Sequence, residues 1–346
     1  MITRQKNIDV AKGICIILMV YAHIILFLKH DDIFLHDIYM FHMPLFFLVS
    51  GMFHKSEIGF MQHTKKKTIQ LLYPYIFWFV TLAVVTPWFL YKFAPSVGQA
   101  IAPEYGKHFG ALDAVTHIFS EQNNSNASIW FLVCLFEVST LFHCIVKISS
   151  IAKTRIINHF LIGSITILSA TAGLYLSLNK NLPYFFDSAL TSLFFYGIGY
   201  FITQYNINSL ANRIKRTNLF TIFVICMAVV HLMHTQRCSY MSNNYTENYI
   251  VAIAGGLIGS IGTLAISTLI QNFRLLSYIG RNTCFILCTH CYAYKIFTLI
   301  APFNNESTVH LYANMLIVLI LTITSLALIA PLFNKYLPLT VGKKRP

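Results

Sequence analysis

Residues 8–28 read IDVAKGICIILMVYAHIILFL, an apolar stretch of membrane length that nonetheless carries Asp9, Lys12 and His23. An Asp or Lys at mid-bilayer costs about 2.5–3.5 kcal/mol on insertion scales, so a helix carrying such groups faces a bundle interior or a wet cavity. Lys12 and His23 are eleven residues apart, which places them within about 20° of one another on one helix face and about 16 Å apart along the axis. The stripe has a cation near one membrane face and an imidazole deeper in. Asp9 and Lys12, at i,i+3, are also placed to pair with each other.

The rest of the chain fits a membrane setting. Of its 346 residues 56% are hydrophobic and 15% aromatic, with only 11% charged and a mean hydropathy of +0.62. Soluble domains average about 25% charged residues. Ten apolar spans are expected, at about 8–28, 38–53, 69–91, 129–147, 157–178, 187–205, 217–236, 248–270, 280–300 and 310–333. The first is too long and too charged for a cleavable signal peptide. The net charge of +13 reflects orientation rather than a nucleic-acid face. Eighteen of the 25 Lys and Arg fall in the N-terminus, the even-numbered loops and the C-terminal tail, against five in the odd-numbered loops. Both termini are therefore expected to be cytoplasmic. The expected fold is all-α, a single polytopic bundle over 1–346 with no appended soluble domain. A long outer loop is expected over about 92–128.

Several residues in these spans are candidates for chemistry. His23 reads either as a core histidine or as a general base, since a neutral imidazole is competent near pH 7. In MFHMPLFFLVSG, His42 lies beside Pro44, and a proline inside a span frees a backbone carbonyl that something else must satisfy. Lys65, Lys66 and Lys67 precede the third span, either as an orientation anchor on lipid phosphates or as a clamp for a phosphorylated cofactor. Trp130 sits where an interfacial aromatic belt is expected. Glu137, seven residues deeper, is an intramembrane acid and so a functional candidate or the partner of a buried base. In YIGRNTCFILCTHC, Gly280-Arg281-Asn282 is read at a helix start and His290 lies about a third of the way across the span. The C-x3-C-x2-C spacing of Cys284, Cys288 and Cys291 matches radical iron–sulfur enzymes, but it falls in an apolar span without the α/β pattern those enzymes need. Buried packing is the reading for these cysteines. No metal site and no tightly bound cofactor are expected.

Taken together, IDVAKGICIILMVYAH, FHMPLFFLVSG, KKKTIQLLYPYIFW, IWFLVCLF and YIGRNTCFILCTH resemble motifs of the acyltransferase family 3 membrane proteins, most nearly the stand-alone sugar O-acetyltransferase branch. The resemblance implies transfer of acetyl from cytoplasmic acetyl-CoA to a hydroxyl of a surface polysaccharide or its lipid-linked precursor, in a bacterial inner membrane. The implied partners are acetyl-CoA, the carbohydrate acceptor and membrane lipids, with no nucleic acid. By position, His23 matches the family's essential first-span histidine, which makes it the expected general base or, alternatively, the carrier of an acyl-histidine. Lys12 stands where many members carry an arginine, keeping the charge but not the bidentate fork. Lys65 and Lys67 fall in the basic motif implicated in the donor site, while His42, Trp130 and His290 match further motif positions. Two other readings stand beside this one. A transporter or flippase of lipid-linked sugars would show inverted repeats and paired broken spans, and neither is found. The same chemistry with succinyl or a non-carbohydrate acceptor would read identically.

Overall fold

The computed structural model describes residues 5–28, 30, 32–103, 127–179, 182–207, 213–233, 238–245, 248–300 and 307–344. Each of the ten expected spans is helical: α1 (Lys6–Phe27), α2 (Ile33–Met52), α3 (Phe60–Phe93), α5 (Trp130–Ser149), α6 (Arg155–Asn179), α7 (Phe186–Gln204), α8 (Arg216–Leu232), α9 (Tyr249–Leu269), α11 (Thr283–Ile300) and α12 (Thr308–Tyr336). Eight are long and apolar enough to cross a membrane. The other two are α8, with 17 residues, and α2, whose 20 residues include His36, Asp37, His42 and Pro44. The described residues also include two short helices, α4 (Pro95–Ile101) and α10 (Arg274–Arg281), and a small hairpin of β1 (Cys238–Ser239) and β2 (Asn244–Tyr245). Residues 104–126, most of the expected long loop, lie outside the described residues. The chain is an all-α polytopic membrane bundle, as a backbone in lipid requires, because each helix satisfies its own amides.

The helices form two compact units. The first comprises Met1–Met19, Asp32–Lys67 and Cys134–Arg281. Here α2 packs between α7 and α9, which are flanked in turn by α6 and α8. Close approach depends on small residues, as is usual between membrane helices. At Gly51 and Gly199 an added Cβ would overlap a carbonyl oxygen of the facing helix, that of Tyr196 or of Leu48. Likewise Gly280 at the end of α10 lies directly on the Asp9 carbonyl of α1, and Gly13 lies on that of Leu276. The Gly280-Arg281-Asn282 stretch is therefore the junction between α10 and α11, not the start of a span.

The carbonyl freed by Pro44 is that of Met40, four residues earlier. Tyr240, fully buried between the hairpin and α2, turns its hydroxyl between the carbonyls of Met40 and Ala252, 3.3 Å from each. A residue 200 positions away thus satisfies the oxygen that the proline leaves open.

The second unit comprises Val20–Asp31, Thr68–Val133 and Asn282–Pro346. Here α11 packs on α12, on the Tyr73–Trp78 turn of α3, on α4 and on the turn Ala127–Ile129. Two wide, i→i+5 turns, Thr68–Leu72 and Phe79–Val85, interrupt α3 close to Pro74 and Pro87. Such turns accommodate a ring that cannot donate to the carbonyl four residues back. Trp78 donates its indole N–H to the Thr340 carbonyl at 2.8 Å, meets Phe285 edge-on and lies tilted against Phe333.

Tyr240→Phe should lower stability by about 1–3 kcal/mol, the cost of an unsatisfied buried carbonyl, read as a lower thermal midpoint in detergent. Tyr245→Phe is the control, because its hydroxyl is buried without a hydrogen-bond partner and its loss should be neutral or stabilising.

Candidate functional site

The second unit brings two of the candidate histidines together. Nδ1 of His23 on α1 lies 2.8 Å from Nε2 of His290 on α11, with the rings near-parallel at a centroid distance of 5.0 Å. The hydrogen bonds fix where the protons are. Nδ1 of His290 faces two carbonyls of its own helix, Ile286 and Leu287, each at 3.0 Å. Carbonyls only accept, so that nitrogen holds the proton of the neutral ring and Nε2 carries the lone pair. His23 must then donate from Nδ1, which leaves the lone pair of His23 on Nε2. This is the tautomer a general base needs, and the second ring holds it by the logic of an orienting partner. His290 is fully buried and His23 half-buried, so the anchor is deep and the basic nitrogen belongs to the more accessible ring.

The Cys291 thiol lies 3.5 Å from Nε2 of His290 and 3.0 Å from Oγ of Ser128. Ser128 belongs to the turn preceding Trp130, which ties α11 to the start of α5. Trp130 is itself buried rather than set in a lipid-facing belt. Sequence reading missed both Cys291's contact with the histidine and the role of Ser128. Lys295, one turn beyond His290, is buried and donates to the Ile101 carbonyl of α4 at 2.8 Å. His23, His290 and Cys291 hold ligand atoms near enough for a metal. The imidazole–imidazole bond already accounts for the two facing nitrogens.

The remaining candidates lie in the first unit. Lys12 pairs with Asp9 at 3.3 Å and keeps about a quarter of its side chain exposed. Lys65 is exposed and Lys67 half-buried on the first turns of α3. His42 is buried and spends its Nδ1 on the Ile38 carbonyl at 2.7 Å, while its ring meets Tyr39 edge-on. Glu137 and Asp187 each bury one carboxyl oxygen without a hydrogen-bond partner. Arg281 is exposed and its guanidinium stacks on Tyr278.

The first unit also gathers histidines that sequence reading did not single out. His54, in the loop after α2, has His63 of α3 and His143 of α5 as ring neighbours at 5.2 and 5.3 Å. Burial first, then the charges of these histidines, Lys67 and Lys147, push His54 down to about 2, so it is neutral at any physiological pH.

Helices and site together define a polytopic membrane protein built around a paired, tautomer-fixed histidine. The chain belongs to the acyltransferase 3 family, whose acyltransferase domain matches residues 5–333 and so runs through both units. Among curated proteins it is similar to the nodulation protein NolL of Mesorhizobium japonicum (strain LMG 29417 / CECT 9101 / MAFF 303099), with 35% identity over 22% of this chain. The NolL of Sinorhizobium fredii (strain NBRC 101917 / NGR234) is 36% identical over the same share. The chain spans 23% of the length of each of these relatives. No solved structure matches.

His290→Ala removes the acceptor that fixes His23. The acyl-transfer rate should fall about tenfold or more, equivalent to about 1.4 kcal/mol. Donor KM should change little and the pH–rate profile should shift, because the tautomer of His23 is no longer held. An unchanged profile and rate would mean that the pair serves packing alone.

Proposed function

We propose that this protein is a membrane O-acetyltransferase that moves acetyl from cytoplasmic acetyl-CoA to a hydroxyl of a bacterial surface polysaccharide or its lipid-linked precursor. The observation that carries the reading is the His23–His290 pair, which leaves a lone pair on Nε2 of a half-buried ring. Family membership supports acyl transfer as the class of reaction.

Nε2 of His23 takes the proton of the acceptor hydroxyl as its oxygen attacks the thioester carbonyl. The C–S bond then breaks, and the proton held on His23 passes to the leaving thiolate, restoring the neutral ring. No charge is left behind. His290 neither gives nor takes a proton in this scheme. It is a positioning residue.

Lys65 and Lys67 sit on the face expected to be cytoplasmic, where their charges suit the phosphates of the donor's nucleotide end. Lys12 is a weaker candidate for that role, since Asp9 already neutralises it. The membrane is expected to be the bacterial plasma membrane, which has acetyl-CoA on one side and the surface glycan on the other.

Membranes containing the protein, incubated with labelled acetyl-CoA and candidate glycans, should transfer label to the glycan. Membranes with His23→Ala, present at equal level, should lose the transfer by at least the 10²–10⁴-fold typical of a general base. Undiminished acetylation by His23→Ala would sink the assignment. Transfer from succinyl-CoA alone would correct the donor. Sugar movement across the membrane with no acyl transfer from any acyl-CoA would point to a flippase.

A further inference from the structure

The three histidines of the first unit come from distant parts of the chain and converge on one point. One ring nitrogen from each of His54, His63 and His143 lies within 4.8 Å of the other two. Nε2 of His54 is 3.3 Å from Nδ1 of His143, and the rings of His63 and His143 stack at 4.2 Å. His63 and His143 are buried and His54 is half-buried.

Two hydroxyls hold these rings from outside. Tyr196 of α7 lies 3.0 Å from Nδ1 of His54 and 3.2 Å from Oγ of Ser139, which is itself 3.0 Å from Nε2 of His63. Nε2 of His143 is buried without a hydrogen-bond partner. Three converging imidazoles braced by hydroxyls have the composition of a metal site with a supporting outer shell.

We propose that His54, His63 and His143 bind a divalent first-row transition metal of the zinc type, with a fourth coordination position open to an exchangeable ligand. The donor set selects the metal. Three imidazole nitrogens suit zinc and its neighbours, whereas calcium and magnesium require oxygen ligands. The site is independent of the His23–His290 pair and of the acyl-transfer reading.

The surrounding charge sets the fourth ligand. Lys67 and Lys147 both act on the cluster, and Lys147 is fixed by its hydrogen bond to the Ser56 carbonyl at 2.9 Å. Cations beside a doubly charged metal favour an anion in the open position, such as hydroxide or a phosphate oxygen. Closing three nitrogens onto one ion needs small rotations of rings that already touch.

The test uses full-length protein purified in detergent without a polyhistidine tag, stripped with chelator and then titrated with Zn2+ or Co2+. Wild type should bind one equivalent, seen by elemental mass spectrometry, and bound Co2+ should give visible bands of tetrahedral strength. Zinc should also raise the thermal midpoint. His54→Ala, on the loop, should lose the bound metal and the thermal shift while keeping its membrane level. Ser139→Ala, which leaves all three ligands, should bind about 10–100-fold more weakly. His23→Ala should bind as wild type does. No stoichiometric binding by wild type would overturn the proposal, as would metal lost from His23→Ala but kept by His54→Ala.

Discussion

A polar atom inside an apolar span has to find its partner within the protein, because lipid offers none, and this constraint shapes most of what the structure contains. It accounts for Asp9 beside Lys12, for Tyr240 beneath the carbonyl that Pro44 frees, and for Trp78 on the Thr340 carbonyl. It also accounts for His290, which turns one nitrogen to its own backbone and the other to His23. The same demand that stabilises the bundle therefore orients the His23 ring. A helix carrying His23 alone would expose a ring of undetermined tautomer.

The all-α, membrane-spanning character was legible in the sequence because it rests on a local quantity, the length of each apolar run. Boundaries slipped where local rules compete. The span expected at 280–300 begins at Thr283, since Gly280 belongs to a separate short helix pressed onto Asp9. The third span starts earlier than its apolar run, at Phe60, because the basic turn HTKKK continues into it as one helix interrupted by wide turns.

The site was legible in part. His23 and His290 each stood out as ionisable groups in apolar runs, but nothing in spacing announces that residues 267 positions apart will touch. For Asp9 and Lys12 the sequence left pairing and function both open, and at i,i+3 the pairing is what forms. The cluster of His54, His63 and His143 was illegible for the same reason as the main pair. Two of its members lie outside long apolar runs, where a histidine draws no notice, and the third is 80 residues further on.

Nδ1 of His290 points at two carbonyl oxygens of its own helix and at no second base. A proton wire needs a group that can hand its proton onward, and backbone carbonyls cannot. Whatever proton His23 collects has no exit through His290. In a catalyst built this way the proton would travel with the exchanged group, from one substrate to the other, rather than along the helix that carries His290.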